Sequence, residues 1–196
     1  MAAIFSSANF ELLNKEFVAY HVSGGTTEML KVKFNGISFD SELIGGTADL
    51  NAGQLIDRIG VYMGLSFPCG KEMEALALDC KSAPRANRPK VKDFKINLSG
   101  IENQAVKLYG ECGDKAAVSA FVFDHVGKSL IALTESYFAE YGECDLLFAG
   151  GVMSNAIIKK MISDKYNASF ATPMLSADNA VGVAYLAYRR YISEKK

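Results

Sequence analysis

The stretch from residue 16 to residue 44 constrains this chain more than any other part of it. Glu16–Val22 reads EFVAYHV, a run of strand-forming residues, after which Ser23-Gly24-Gly25-Thr26-Thr27 turns the chain. Residues 29–34 (MLKVKF) alternate apolar side chains with lysine, the pattern of a half-buried strand. Asn35-Gly36 is a strong hairpin signal, and 37–44 supplies a third strand before Gly45-Gly46-Thr47 ends the run. Three strands joined by tight turns predict an antiparallel meander.

Helices follow it. Residues 51–65 place Leu55, Ile56, Ile59, Tyr62 and Met63 on one face, and Pro68-Cys69-Gly70 breaks that run before a short helix over 71–79. A loop at 81–95, a short strand at 94–98 and a helix over 101–109 come next. A long helix over 115–141 carries Val122, Val126, Leu130, Leu133 and Tyr137 on one stripe. The short buried strand Asp145–Ala149 leads through Gly150-Gly151 into a helix ending near Ile162, with a strand at 168–171 and a closing helix over 179–192. A meander followed by helix, strand, helix, strand and helix is the ribonuclease-H-like pattern. It predicts an α/β fold, a mixed sheet with helices on both faces, the building block of each lobe in actin/Hsp70-like (ASKHA) ATPases. On this reading residues 1–15 are a lead-in without periodicity, 16–196 form one lobe, 49–110 are a helical insertion and 179–194 are the closing helical segment.

A chain of 196 residues, 49% hydrophobic and 22% charged, suits one globular lobe. Its net charge of -1 excludes nucleic-acid binding by the surface as a whole, so any such contact must be local. Cys69, Cys80, Cys112 and Cys144 form no C-x-x-C pair and have no histidine at zinc-ligand spacing, so they are expected as small buried thiols in a reducing compartment. The first residues lack the basic and apolar regions of a signal peptide, and no apolar run looks long enough to span a bilayer. A cytoplasmic protein without membrane contact is expected.

Five features bear on chemistry. The turn Ser23-Gly24-Gly25-Thr26-Thr27 can bring backbone N–H groups close to an anion, or can be a hairpin that uses glycine for positive φ. Gly150-Gly151-Val152-Met153-Ser154-Asn155 joins a buried strand to a helix, so its amides can face a ligand and Asn155 can bond a sugar hydroxyl. Alternatively it is a plain strand-to-helix turn capped by Ser154. Asp178, ahead of the last helix, is a metal ligand or a cap. Asp57 is a hydroxyl-binding carboxylate near Gly70, or a solvated one. The basic stretch Lys81, Arg85, Arg88, Lys90 and Lys92 reads more readily as a solvated loop than as a phosphate contact. His21 reads as a packed core residue, and with His125 it forms no nucleophile motif.

In order and spacing these pieces resemble the tRNA threonylcarbamoyl-adenosine transferases, the TsaD/Gcp-like family formerly labelled O-sialoglycoprotein endopeptidase or glycoprotease. HVSGGTTE at 21–28 resembles the family's V-S-G-G-[HN]-T hairpin, and DLNAGQLIDRIGVYMGLSFPCGKEMEALA at 49–77 its D-x-A-x-G stretch with the following P-G-G. FKINLSGIENQAV at 94–106, AGGVMSN at 149–155 and SADNAVGVAY at 176–185 are similar to three further family motifs. The resemblance implies a nucleotide, ATP or threonylcarbamoyl-adenylate, bound between two lobes, with transfer of the threonylcarbamoyl group to adenosine in tRNA. It gives Ser23, Gly24, Gly25 and Thr26 to the phosphate or acyl end, and Asp57, Gly70, Gly150, Gly151 and Asn155 to the nucleoside. It makes Asp178 a ligand of an iron or zinc ion.

Thr26 stands where the family commonly has His, Gln54 where it has Glu, and Cys69 replaces the first Gly of P-G-G, so a divergent branch is expected. The family's H-x-x-x-H metal pair does not occur in this sequence. The expectation is a C-terminal lobe without its N-terminal partner, inactive alone, with the metal bound only when that lobe is supplied. A non-catalytic paralogue acting as an assembly subunit is the alternative, and a metalloprotease is disfavoured because no nucleophile or water-activating metal set is present. The final helix is apolar nearly all round, which predicts an exposed patch at the lobe junction and protein partners or self-association through it.

Overall fold

The computed structural model describes residues 1–82, 84–172 and 180–195. The expected meander forms: β1 (Glu16–Val22), β2 (Thr27–Phe34) and β3 (Phe39–Thr47) pair antiparallel in sequence order. β4 (Lys95–Ile96) adds parallel to β3, while β5 (Asp145–Ala149) pairs parallel with β1 and β6 (Ala168–Phe170) parallel with β5. The sheet order is therefore β4-β3-β2-β1-β5-β6.

One face of this sheet holds most of the core. Val18, Tyr20, Val22 and Met29 pack there against α2 (Ala52–Tyr62), α3 (Gly70–Leu78), α4 (Ser99–Cys112), α5 (Lys115–Tyr141) and α6 (Ala156–Ser163). Tyr20 stacks on Phe148, 4.6 Å between centroids, and Phe148 on Phe170, so β1, β5 and β6 are locked by one aromatic column. The Tyr20 hydroxyl lies 2.8 Å from Thr134 Oγ1, itself bonded to the Leu130 carbonyl, which satisfies a phenol that burial makes very hard to ionise.

The other face is covered by the first residues, the lead-in stretch without periodicity. They form α1 (Ala2–Ser7) and a 3-10 turn at Phe10–Leu13, burying Ile4 and Leu12 against Phe17, Val32 and Leu147. Two short elements leave too few turns for a periodicity to be read. The closing helix α7 (Ala180–Ser193) packs on α1, with Phe5 edge-on to Tyr185 at 5.2 Å. Helices thus lie on both faces, as the ribonuclease-H-like pattern requires. Val181, Val183, Tyr188 and Tyr191 of α7 are exposed, which is the patch expected of this helix.

α5 corrects the bilayer expectation. By length and composition its 27 residues suffice to cross a membrane, but 72% of its most apolar window is buried inside the fold. It is the central core helix, capped by Asp114, whose carboxylate accepts the Ala116 and Ala117 N–H groups at 2.9 and 3.2 Å. The thiols also depart from expectation: Cys69 is buried, Cys80 and Cys144 are half-buried, and Cys112 is exposed.

His125 of α5 is buried, and neither ring nitrogen has a hydrogen-bond partner. Burial lowers its pKa from 6.5 to about 4, so the native state holds the neutral ring. The unfolded chain takes up a proton near pH 6.5 and the folded chain only near 4. Stability is therefore nearly complete above pH 6.5 and declines as pH falls from 6.5 to 4, by about 3 kcal/mol. Urea denaturation across that window checks this: His125→Phe should flatten the decline, and an unchanged slope would refute it.

Candidate functional site

The site lies where β1 and β5 end. Their parallel pairing runs from Phe17↔Asp145 to His21↔Ala149, so both strands deliver a glycine turn to the same rim of the sheet. The backbone of that rim is tight. Gly150 has φ +104°, and a Cβ on it would lie 2.7 Å from the Val22 carbonyl carbon. Gly150 is glycine for the sake of the fold.

The turn after β1 is stapled to α2. Ser23 N–H bonds the Thr26 carbonyl at 2.8 Å, the Ala52 N–H donates to Thr27 Oγ1 at 2.9 Å, and the Gly53 N–H to the Ser23 carbonyl at 3.2 Å. The Asn51 amide donates to the Gly25 carbonyl at 2.9 Å while Asn51 and Gln54 form a capping box. The first amides of α2 are thereby consumed by the turn, so this helix end has no free donors for an anion. The amides of Gly24, Gly25 and Thr26 have no protein partner among the described residues.

Gly24 and Gly25 do not have positive φ, so the hairpin alternative does not explain them. A Cβ on either would meet nothing within 4 Å. Neither backbone strain nor internal crowding calls for glycine here. Gly24 faces an open cleft of about 540 Å³, lined also by Gln54, Asp57, Arg58, Val61 and Phe67, and Gly25 follows it on the exposed turn. The structure thus joins two expected site residues, Gly24 and Asp57, that lie 33 positions apart in sequence.

Asp57 is neither free nor merely solvated. Its Oδ1 accepts the Cys69 N–H at 2.8 Å, fixing the corner before α3, while Oδ2 has no protein partner among the described residues. Gly70 opens α3 beside that corner, and a Cβ there also meets nothing within 4 Å. Phe67, 75% exposed, and Val61 give the cleft an apolar wall. Arg58 reaches the cleft from α2 and pairs with Glu102 at 3.3 Å.

Beyond Gly150 the chain enters a 3-10 turn, Gly151–Ser154, before α6. The cap of α6 is Asn155, not Ser154: Asn155 Oδ1 accepts the Ile158 N–H at 3.0 Å, leaving its Nδ2 without a protein partner among the described residues. Gly151 is exposed, with open space where a Cβ would go. Glu74 of α3, which the sequence reading missed, accepts the Ala156 N–H and ties α3 to the start of α6. Asp49, also missed, accepts N–H groups of Leu50 (2.6 Å), Leu98 (2.8 Å) and Ser99 (3.2 Å) and the Ser99 hydroxyl (2.6 Å). Burial raises its pKa, but these bonds outweigh that and hold it at about 2, so its contribution is lost only below pH 4.

His21 is exposed at the rim rather than packed in the core. It shares a sheet face with Phe17 and Ala19 but stays exposed there, beside a cavity that Met1, Ala3 and Ile4 also line. Asp178 lies outside the described residues, as do Ser176 and Asn179. Among the described residues no three His, Cys, Asp or Glu side chains gather as a metal site. The described residues therefore do not fit an iron or zinc ion by themselves.

A meander with parallel β1, β5 and β6, helices on both faces, and glycine turns after β1 and β5 at one rim define a ribonuclease-H-like lobe of the actin/Hsp70-like class. Full-length HypF in a phosphate- and nucleotide-bound form superposes with a TM-score of 0.66 at 14% identity, covering 86% of this chain and 38% of that one. The ADPNP-bound activator of the 2-hydroxyisocaproyl-CoA dehydratase from Clostridium difficile gives 0.57 at 12% identity, covering 100% of this chain and 68% of that one. At such identities these likenesses establish the fold. The model of the TsaD family, tRNA N6-adenosine threonylcarbamoyltransferase, matches residues 1–185, and the chain belongs to that family. The transferase of that name from Dehalococcoides mccartyi is 31% identical over 183 residues, 89% of this chain and 54% of the relative. The one from Thermococcus gammatolerans is 30% identical over 185 residues, 91% and 55% respectively. The chain thus spans about half the length of the curated relatives it matches.

Proposed function

We propose that this stretch is the C-terminal, nucleotide-binding lobe of a tRNA threonylcarbamoyltransferase, and that ATP or threonylcarbamoyl-adenylate occupies the cleft between the Ser23–Thr26 turn and α2. The observation that carries the reading is the pair Gly24 and Gly25: glycines that the fold itself does not require, with amides unpartnered among the described residues, the first of them lining an open cleft. Glycine there is explained by a ligand approaching the backbone where a side chain would intrude. On this reading the amides of Gly24, Gly25 and Thr26 donate to phosphate oxygens, with the Ser23 hydroxyl beside them. Asp57 Oδ2 accepts from a ribose hydroxyl, and the base lies along Phe67 and Val61 with Gly70 leaving room at its edge. Asn155 Nδ2 and the open backbone at Gly151 border the nucleoside from the other turn.

The chemistry follows from that placement. Transfer breaks the bond between the carbamoyl carbon and the phosphate oxygen of the adenylate and forms one to the N6 of a tRNA adenosine; N6 gives up a proton to solvent, and AMP leaves with the negative charge that the turn amides stabilise. A nucleotide gripped from one side only remains half solvated, so the reading assigns transfer to this lobe acting with the facing half that the relatives' length implies. A metal held through Asp178 would draw its other ligands from that half. The exposed apolar residues of α7 favour a protein neighbour, the facing lobe or a second subunit, on that side.

Isothermal titration with ATP tests the cleft. Gly24→Ala and Gly25→Ala should weaken binding at least tenfold. Thermal stability should stay level or rise, because alanine at an unstrained position narrows the unfolded ensemble by roughly 0.4–1 kcal/mol. ATP affinity unchanged in both variants would overturn the reading.

A further inference from the structure

Residues 81–95 carry six of the chain's Lys and Arg residues against one acidic residue, Asp93, although the whole chain has a net charge of -1. Elsewhere cations are commonly neutralised locally: Lys15 by Asp145, Lys31 by Glu16, Arg58 by Glu102 and Lys128 by Asp124. Among the described residues of this segment only Arg88 is paired, with Glu135 at 2.6 Å. Lys81, Arg85, Lys90, Lys92 and Lys95 are exposed and have no ion-pair partner among the described residues.

The segment is not a free solvated loop. Ala86 is buried; its N–H donates to Asp124 Oδ2 at 2.8 Å and its carbonyl accepts from Lys128 Nζ at 2.7 Å. The Asp124–Lys128 pair on α5 therefore works as a clamp on the loop backbone rather than as a surface ion pair. Farther on, the Phe94 carbonyl accepts the Gly46 N–H at 2.9 Å, and the Phe94 ring packs near Tyr137 and Tyr141. Val91 also packs against the core. Ala86, Val91 and Phe94 turn inward and the cations are left outside, on a backbone held at Ala86 and at Phe94.

We infer that the cations of residues 84–95 form a phosphate-contact surface for the backbone of an RNA, resting on the tRNA reading above. A fixed row of unpaired cations gains by releasing the counterions of a polyanion, and loses little entropy in doing so because its backbone is already clamped. Contacts of this kind position a nucleic acid without reading its sequence. An anionic membrane is the poorer fit, since Ala86, Val91 and Phe94 are engaged in the core and offer nothing apolar to insert.

The test is fluorescence anisotropy with an unmodified tRNA transcript over a series of salt concentrations, comparing the chain with its Arg85→Ala/Lys90→Ala/Lys92→Ala variant. Because these three side chains make no ion pair, melting should be unchanged. The variant should bind tRNA at least tenfold more weakly at low salt, with the slope of log affinity against log salt reduced by about two. Photo-crosslinking of thiouridine-containing tRNA to the unaltered chain should map to peptides within 84–95, which keeps the inference testable if the variant fails to fold. Unchanged affinity and slope, crosslinks confined to other segments, or binding to phosphatidylserine vesicles but not to tRNA would overturn it. ATP titration of the same variant separates this inference from the cleft reading: its ATP affinity should match that of the unaltered chain, and loss of tRNA contact with ATP binding intact concerns the loop alone.

Discussion

Gly53→Ala should destabilise the chain and abolish measurable ATP binding, although helix propensity alone favours it by about 1 kcal/mol. Gly53 lies in the first turn of α2, where alanine is normally the better residue. Here a Cβ would sit 2.6 Å from Gly24 Cα, 2.6 Å from the Ser23 carbonyl oxygen and 2.7 Å from Gly24 N. All three are backbone atoms, so no rotamer change relieves the overlap. The turn must move off the helix, which breaks the Gly53-to-Ser23 bond and strains the adjoining Ala52-to-Thr27 and Asn51-to-Gly25 bonds. Overpacking of this kind costs about 1–3 kcal/mol. The same movement carries the amides of Gly24 and Gly25 away from where they would meet a phosphate. Chemical denaturation and ATP titration of Gly53→Ala check both effects, and a variant as stable as its parent with unaltered ATP affinity refutes the account.

Gly53→Ala and Gly24→Ala press on the two sides of one contact with different expected outcomes. The first intrudes on the fold and through it on the ligand. The second intrudes only on the space in front of the turn. A site in which glycine is needed for packing alone would show the first effect without the second, so the pair distinguishes a ligand cradle from a well-packed corner.

Signals in the sequence act over different ranges. β1, α5 and β5 have the bounds their residues suggest, because local chemistry marks their ends: Asp114 and Gly142 flank α5, and glycine turns close both strands. The motif positions of Gly24 and Asp57 were legible, but the cleft that unites them depends on α2 docking against the turn. The role of His21 was misjudged because strand alternation tells which side a residue faces and not whether that side is covered. Ser154 is a reasonable cap by its residue type, but the 3-10 turn delays the helix by one residue and passes the role to Asn155. Glu74, Asp49 and the Asp124–Lys128 clamp act on backbone groups roughly 40–80 positions away in sequence, and nothing local in their neighbourhoods marks them.

Gly150→Ala should be the most damaging substitution at the other turn, and its neighbour Gly151→Ala nearly silent in stability. Gly150 has a φ of +104°, outside the usual left-handed basin, and alanine there carries strain of roughly 1–3 kcal/mol before any contact is counted. The added methyl would also press on Val22 in β1, whose carbonyl carbon it would approach to 2.7 Å. Relief requires β1 and β5 to part at the rim, which loosens the stack of Tyr20 on Phe148 that lies between them. The two effects together make a loss of about 3 kcal/mol or more. Gly151 has neither a positive φ nor a neighbour within 4 Å of a Cβ, so Gly151→Ala should melt within a degree or two of the parent while weakening ATP binding if the nucleoside passes close to its backbone. Denaturation curves for the two variants, measured side by side with ATP titrations, decide the matter. Equal stability of the two would mean that the rim tolerates movement between β1 and β5, and a cradle built on that rim would then lack the rigidity that holds its amides in place.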